Sequence, residues 1–143
     1  MNENGSCSFN YRGNIMVDKK ELWIAVDFDG TLTGNGDSWP EIGPENPYAV
    51  DVIKRLKRDG HTVILHTCRQ GEYLSEAIEW MKARGIEPDA VNDNPHAREI
   101  YGSQGPKMNA DIYIDDRSLG IKKTATGSVD FKYIKRNYKK IFC

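Results

Sequence analysis

The chain has little cysteine, little net charge and no long apolar run. Its three cysteines, Cys7, Cys68 and Cys143, are an odd number at wide spacing, which fits neither a disulfide framework nor a zinc site. A reducing compartment is the simpler reading of them. A formal net charge of -1 leaves no global field to draw the protein to nucleic acid or an acidic membrane. No stretch reaches the length of a membrane span, and no basic-then-apolar leader opens the chain. The expected setting is therefore cytoplasmic. Internal repeats and low-complexity tracts are missing too. What remains is 143 residues of ordinary composition, enough for one domain with a full-sized core.

Against that background one segment stands out. The apolar run Leu22-Trp23-Ile24-Ala25-Val26 reads as a buried strand and leads directly into Asp27-Phe28-Asp29-Gly30-Thr31-Leu32-Thr33. In an open α/β sheet, ligands bind outside the carboxyl ends of the strands. Two acids and a flexible glycine thus fall where chemistry is usually done. One carboxylate can attack while its neighbour two residues on handles the proton.

The rest of the chain supplies the frame. Residues 1–15 are polar and aperiodic and are expected to be a loose N-terminal arm. Met16 could itself be a start, so the core domain is placed at 16–143. After the first strand, Gly34 to Glu45 reads as an irregular flap. A helix begins near Pro47, with Val50, Ile53 and Leu56 at near-helical spacing, and stops at Asp59-Gly60. His61 to Thr67 is a second strand with a continuous apolar centre, as suits burial on both faces of a parallel sheet. Leu74, Ala77, Ile78 and Met81 mark a second helix closed by Arg84-Gly85. A short third strand is expected near Ala90-Val91-Asn92, with Asn92-Asp93-Asn94-Pro95 as a turn and only a connection from there to Asp111. The fourth strand is Ala110 to Ile114, ending at Asp115-Asp116. A last helix carries Phe131, Ile134, Tyr138, Ile141 and Phe142. This order predicts a doubly wound, Rossmann-like parallel sheet with helices on both faces.

Asp27/Asp29, Thr67 and Asp115/Asp116 then converge on one edge of the sheet. Four carboxylates around one point repel each other unless a cation neutralises them, and hard oxygen ligands suit Mg²⁺. A phosphoryl group at such a site has its charge met by metal, hydroxyl, cation and backbone N–H groups. The phosphate-binding candidates are Phe28, Thr67, Arg69 and Lys107, with Arg69 offering bidentate geometry. His66 and Cys68 flank Thr67, and strand alternation points them away from it. Trp39 in the flap is open to two readings, substrate contact or packing.

These residues resemble the motifs of the haloacid dehalogenase-like superfamily. Asp27-Phe28-Asp29-Gly30-Thr31-Leu32-Thr33 is similar to its first motif, and Thr67 after Val63-Ile64-Leu65 to its second. Lys107 resembles the third, and Asp115-Asp116 after Ile112-Tyr113-Ile114 the fourth. The likeness runs from about Leu22 to Leu119 in the family's order. It implies that Asp27 is a nucleophile forming an aspartyl phosphate. It also implies that Asp29 protonates the leaving oxygen and later activates water, and that Thr67 and Lys107 hold the phosphoryl group. Mg²⁺ would be bound by Asp27, the backbone carbonyl of Asp29 and an acid of the Asp115-Asp116 pair, with Asp116 favoured as the direct ligand. Because Gly105-Pro106-Lys107-Met108 looks like a turn where the family often has a helix, Arg69 is kept as a substitute or helper for Lys107.

Neither the flap nor the connection after the third strand is long enough for the family's usual cap domain. The resemblance is therefore to a capless phosphatase. Its substrate would be a phosphorylated small molecule or a macromolecular phosphate end, with a second copy of the chain as a potential lid. Two other readings stand beside the Mg²⁺-dependent phosphomonoesterase. One is a phosphotransferase or mutase using the same aspartyl phosphate, which usually needs a cap to exclude water. The other is a non-enzymatic, receiver-like signalling domain, which would place its acceptor Asp after the third strand.

Overall fold

A computed structural model of the chain describes residues 10–12, 15–17 and 20–143. Asn10–Arg12 (β1) and Ile15–Val17 (β2) pair as an antiparallel ribbon. The boundary expected between residues 15 and 16 falls inside this ribbon, and the first nine residues of the expected arm lie outside the described residues.

The domain is built on four parallel strands, Trp23–Val26 (β3), Thr62–Leu65 (β4), Ala90–Val91 (β5) and Ile112–Ile114 (β6), in the order β5-β4-β3-β6. This is the α/β, Rossmann-like sheet expected from the alternation of apolar runs and amphipathic segments. The register sets the site. Val26 lies opposite both Leu65 and Ile114, and Leu65 opposite Val91. All four strands therefore end level, and the residues that follow them are brought to one edge.

Strand alternation divides the core into two faces. Ile24, Val26, Val63 and Leu65 join the main cluster with Ala49–Arg58 (α1), Gly71–Ala83 (α2), Phe131–Arg136 (α4) and Tyr138–Phe142 (α5). Ala25 and Ile64 face the other way, towards Met108. That thinner layer carries Pro95–Tyr101 (α3), whose His96 ring stacks on Trp23 at 5.8 Å. The sheet is thus covered on both faces within a single domain.

Helix ends follow local chemistry. α1 and α2 stop where Gly60 and Gly85 take left-handed backbone, at φ +87° and +74°. α3 stands where only a connection was expected. Asn94 accepts from the His96 and Ala97 N–H groups, and Pro95 opens the helix, so the supposed turn is a helix start. The single last helix is divided at Asn137, whose side-chain amide donates to the Tyr133 carbonyl at 2.9 Å.

Among the described residues no helix is long and apolar enough to cross a membrane. Cys68 is a free thiol, whereas Cys143 is disulfide-bonded.

Candidate active site

β3, β4 and β5 are laid down in one direction, and β6 returns to the other side of β3. The reversal opens a crevice between the ends of β3 and β6, the expected place for a ligand in an open α/β sheet. Asp27 sits at the end of β3, with its N–H donating to the Ile114 carbonyl at 2.9 Å. Asp115 and Asp116 follow Ile114 directly. Asp27, Asp115 and Asp116 each place a carboxyl oxygen within 4.8 Å of the other two.

The crowding has an electrostatic consequence. Burial, and then the negative charge of Asp115, push the Asp27 carboxyl from 3.8 up to about 8, with Asp116 adding to the rise. The Phe28 backbone N–H, directed at the same carboxyl, works in the opposite sense. A cation among the three acids would reverse the balance, because it favours the ionised form of each. The donor set is all carboxylate oxygen, which fits a hard divalent ion such as Mg²⁺.

The turn after Asp27 holds this geometry. Thr33 N–H reaches back to the Phe28 carbonyl at 3.1 Å, closing one wide turn over Phe28–Leu32. Gly30 takes φ +77°, and a Cβ there would lie 2.7 Å from Asp116 Oδ2. Glycine is required by both the backbone and the neighbouring acid. Thr31, fully buried, donates to Asp27 Oδ2 at 3.3 Å and accepts from Asp116 N–H at 3.1 Å. One hydroxyl thereby spans the two strand ends. Buried Asn46 donates to the carbonyls of Thr31 and Val129 at 2.8 and 2.7 Å, and Val129 N–H donates to the Gly30 carbonyl. Neither Thr31 nor Asn46 was singled out from sequence. Thr31 lay inside the recognised motif, and Asn46 carried no signal.

Thr67 lines the same cleft, a space of about 480 Å³. Asn92, at the end of β5, brackets it by accepting from the Thr67 N–H and donating to the Thr67 carbonyl, both at 2.9 Å. Cys68 also lines the cleft. The expectation that it points away failed because β4 ends at Leu65, so strand alternation does not extend to residue 68.

Asp29 and Arg69 line the cleft together. Arg69 is 1% exposed and donates from Nε and Nη2 to both Asp29 oxygens, each at 2.7 Å. Its Nη2 also meets the carbonyls of Pro40 and Glu41 in the flap, and its guanidinium lies 4.9 Å from the Trp39 ring centroid. Arg69, a candidate phosphate cation from sequence, is thus engaged with Asp29 and the flap. Phe28 places its ring in the core, edge-on to Trp80 at 5.3 Å, and turns only backbone to the site.

Lys107 is not brought into the cleft. Its side chain is exposed, with the ammonium 5.7 Å from the Tyr113 ring centroid. Its neighbours Pro106 and Met108 line an adjoining hollow that shares Asp27, Thr67 and Asp115. Arg117 does line the cleft, and among the described residues its guanidinium is in no ion pair. It follows Asp115-Asp116 directly, a position that sequence reasoning passed over.

No family model matches the chain, and no curated protein matches it. Among solved structures it is similar to the conserved protein coded by a locus of Bacteroides thetaiotaomicron. The two are 39% identical, the match covers 85% of this chain and 93% of that one, and the TM-score is 0.69. The chain belongs to the family of that conserved protein.

Proposed function

We propose that this protein is a Mg²⁺-dependent phosphomonoesterase of the haloacid dehalogenase-like kind, working through an aspartyl phosphate on Asp27. One observation carries the reading. Three carboxylates, from the ends of two adjacent parallel strands, meet within 4.8 Å at the switch point of the sheet. Repulsion of that order is sustained when a cation is the partner.

Asp27, Asp115 and Asp116 would hold the metal, with the Asp29 carbonyl as a further oxygen. Bound there, Mg²⁺ supplies positive charge that offsets the acids and polarises a phosphoryl oxygen. Asp27 is the nucleophile: its carboxyl oxygen bonds to phosphorus as the ester P–O bond breaks. The Thr67 hydroxyl and Phe28 N–H donate to the phosphoryl oxygens. Arg117, already in the cleft, is the cation best placed to assist, ahead of Lys107. Asp29 gives a proton to the leaving oxygen. It then takes one from the water that attacks phosphorus, which releases phosphate and restores Asp27. To do so its carboxyl has to turn from Arg69 towards the leaving oxygen.

Against the receiver-like reading, the residue that follows β5 is Asn92 rather than an acid, and its side chain is taken up by Thr67. The test is release of inorganic phosphate from a panel of phosphate esters. Release that requires Mg²⁺, stops with EDTA and returns on adding the metal is the expected result. No release from any ester, or full activity after exhaustive chelation, would overturn the reading.

A further inference from the structure

We propose that Trp39 is a specificity-determining platform for a planar ring on the leaving group. The esters hydrolysed would then be phosphates of ring-bearing alcohols of the nucleoside class. This rests on the phosphomonoesterase reading and narrows it.

Trp39 is 51% exposed on the wall of the cleft that holds Asp27. A half-exposed tryptophan on a cleft wall leaves a large apolar face that a planar ligand can cover. This one is braced without being covered. The Tyr73 ring meets it at 5.0 Å and 60°, and the Arg69 guanidinium sits 4.9 Å from its centroid. Arg69 is itself held to the flap by the Pro40 and Glu41 carbonyls. The flap that carries Trp39 is tightly folded as well. A Cβ on Gly43 would fall 2.8 Å from the Asn35 carbonyl.

A ring held in place before the ligand arrives loses little freedom on stacking, so more of the contact is realised as affinity. The cleft, at about 480 Å³, is in the range that encloses a whole organic molecule rather than a phosphoryl group alone. Asp37 on the same wall is an acceptor for the hydroxyl and N–H groups such a leaving group carries.

Adenosine 5′-monophosphate and glycerol phosphate, both with Mg²⁺, are the probes. The ratio of their kcat/KM values should favour the nucleotide in the natural protein. It should fall about tenfold in Trp39→Ala, the scale of one stacking contact, and largely recover in Trp39→Phe. An unchanged ratio would overturn the platform, whether or not total activity drops, while leaving the phosphatase reading intact. Binding separates the opposite failure. In Asp27→Asn, adenosine 5′-monophosphate should shift the Trp39 indole N–H resonance saturably. A shift in a protein that hydrolyses no ester would keep the platform and sink the phosphatase, whereas no shift at millimolar nucleotide would sink the platform.

Discussion

Arg69 and Asp29, 40 residues apart in sequence, are joined by two parallel hydrogen bonds of 2.7 Å. The pair links Asp29, the acid proposed to handle the proton, to the flap, since the same guanidinium also holds the Pro40 and Glu41 carbonyls. An arginine read from sequence as a cation for phosphate is thus engaged, in the folded protein, with an acid and the flap.

Removing that guanidinium should be costly. Arg69→Ala leaves Asp29 without its partner and frees the flap, and breaking a buried pair from one side costs roughly 3 kcal/mol, less where one partner is partly solvated as here. Arg69→Lys should recover only part, because an ammonium cannot span two carboxyl oxygens and two carbonyls. Urea denaturation measures both. The double variant Arg69→Met/Asp29→Asn should be less destabilised than the sum of the single changes.

Asp27→Asn should abolish turnover with the fold intact. The amide keeps the shape but is a far weaker nucleophile, and loss of a nucleophile costs on the order of 10⁴-fold or more. Phosphate release near the natural rate, with an unchanged circular dichroism spectrum, would show that Asp27 is not the attacking group.

The acid cluster ties metal binding to pH. In the metal-free fold the Asp27 carboxyl holds its proton up to about 8, whereas the unfolded chain releases it near 3.8. Between those values the folded state binds more protons, so metal-free stability should fall as pH rises from about 4 to about 8. Mg²⁺ bound at the proposed site would displace that proton. Calorimetry in buffers of different ionisation enthalpy should show proton release near neutral pH, and Mg²⁺ should bind more tightly at about pH 8 than at about pH 6. Binding with no proton release and no pH dependence would remove Asp27 from the ligand set.

Gly30→Ala should harm the site more than the fold. A left-handed backbone with a Cβ costs about 1–2 kcal/mol, and the new methyl would meet Asp116 Oδ2 at 2.7 Å. The displaced carboxylate should weaken Mg²⁺ binding by more than the stability loss explains, as titration calorimetry beside urea denaturation would reveal.

Arg117 and Lys107 can be ranked by kinetics. Losing a cation that meets the phosphoryl group should cost roughly 10²-fold in kcat/KM. Arg117→Ala is expected to show that loss and Lys107→Ala a smaller one. The reverse order would mean that Lys107 leaves Tyr113 and enters the site when substrate binds.

The sequence by itself determined the four strands of the parallel sheet, the sheet type and the acids, but not the β1-β2 ribbon, which falls where a loose arm was expected. Apolar runs such as Ile24-Ala25-Val26 and Val63-Ile64-Leu65 are local signals, and each ends in a polar residue that the parallel topology must bring to one edge. Glycine stops such as Asp59-Gly60 were legible for the same reason, since a left-handed residue is a local requirement. α3 was legible in principle from Asn94-Pro95, but its apolar face is too short to show a period. Only the tertiary structure decided who partners whom. The pairing of Arg69 with Asp29, the bracing of Thr31 by Asn46 and the place of Arg117 in the cleft depend on residues far apart in the chain. Such pairings are set by the packing of the flap, α2 and the loop after β6 on a shared edge, and no pattern along the chain carries them.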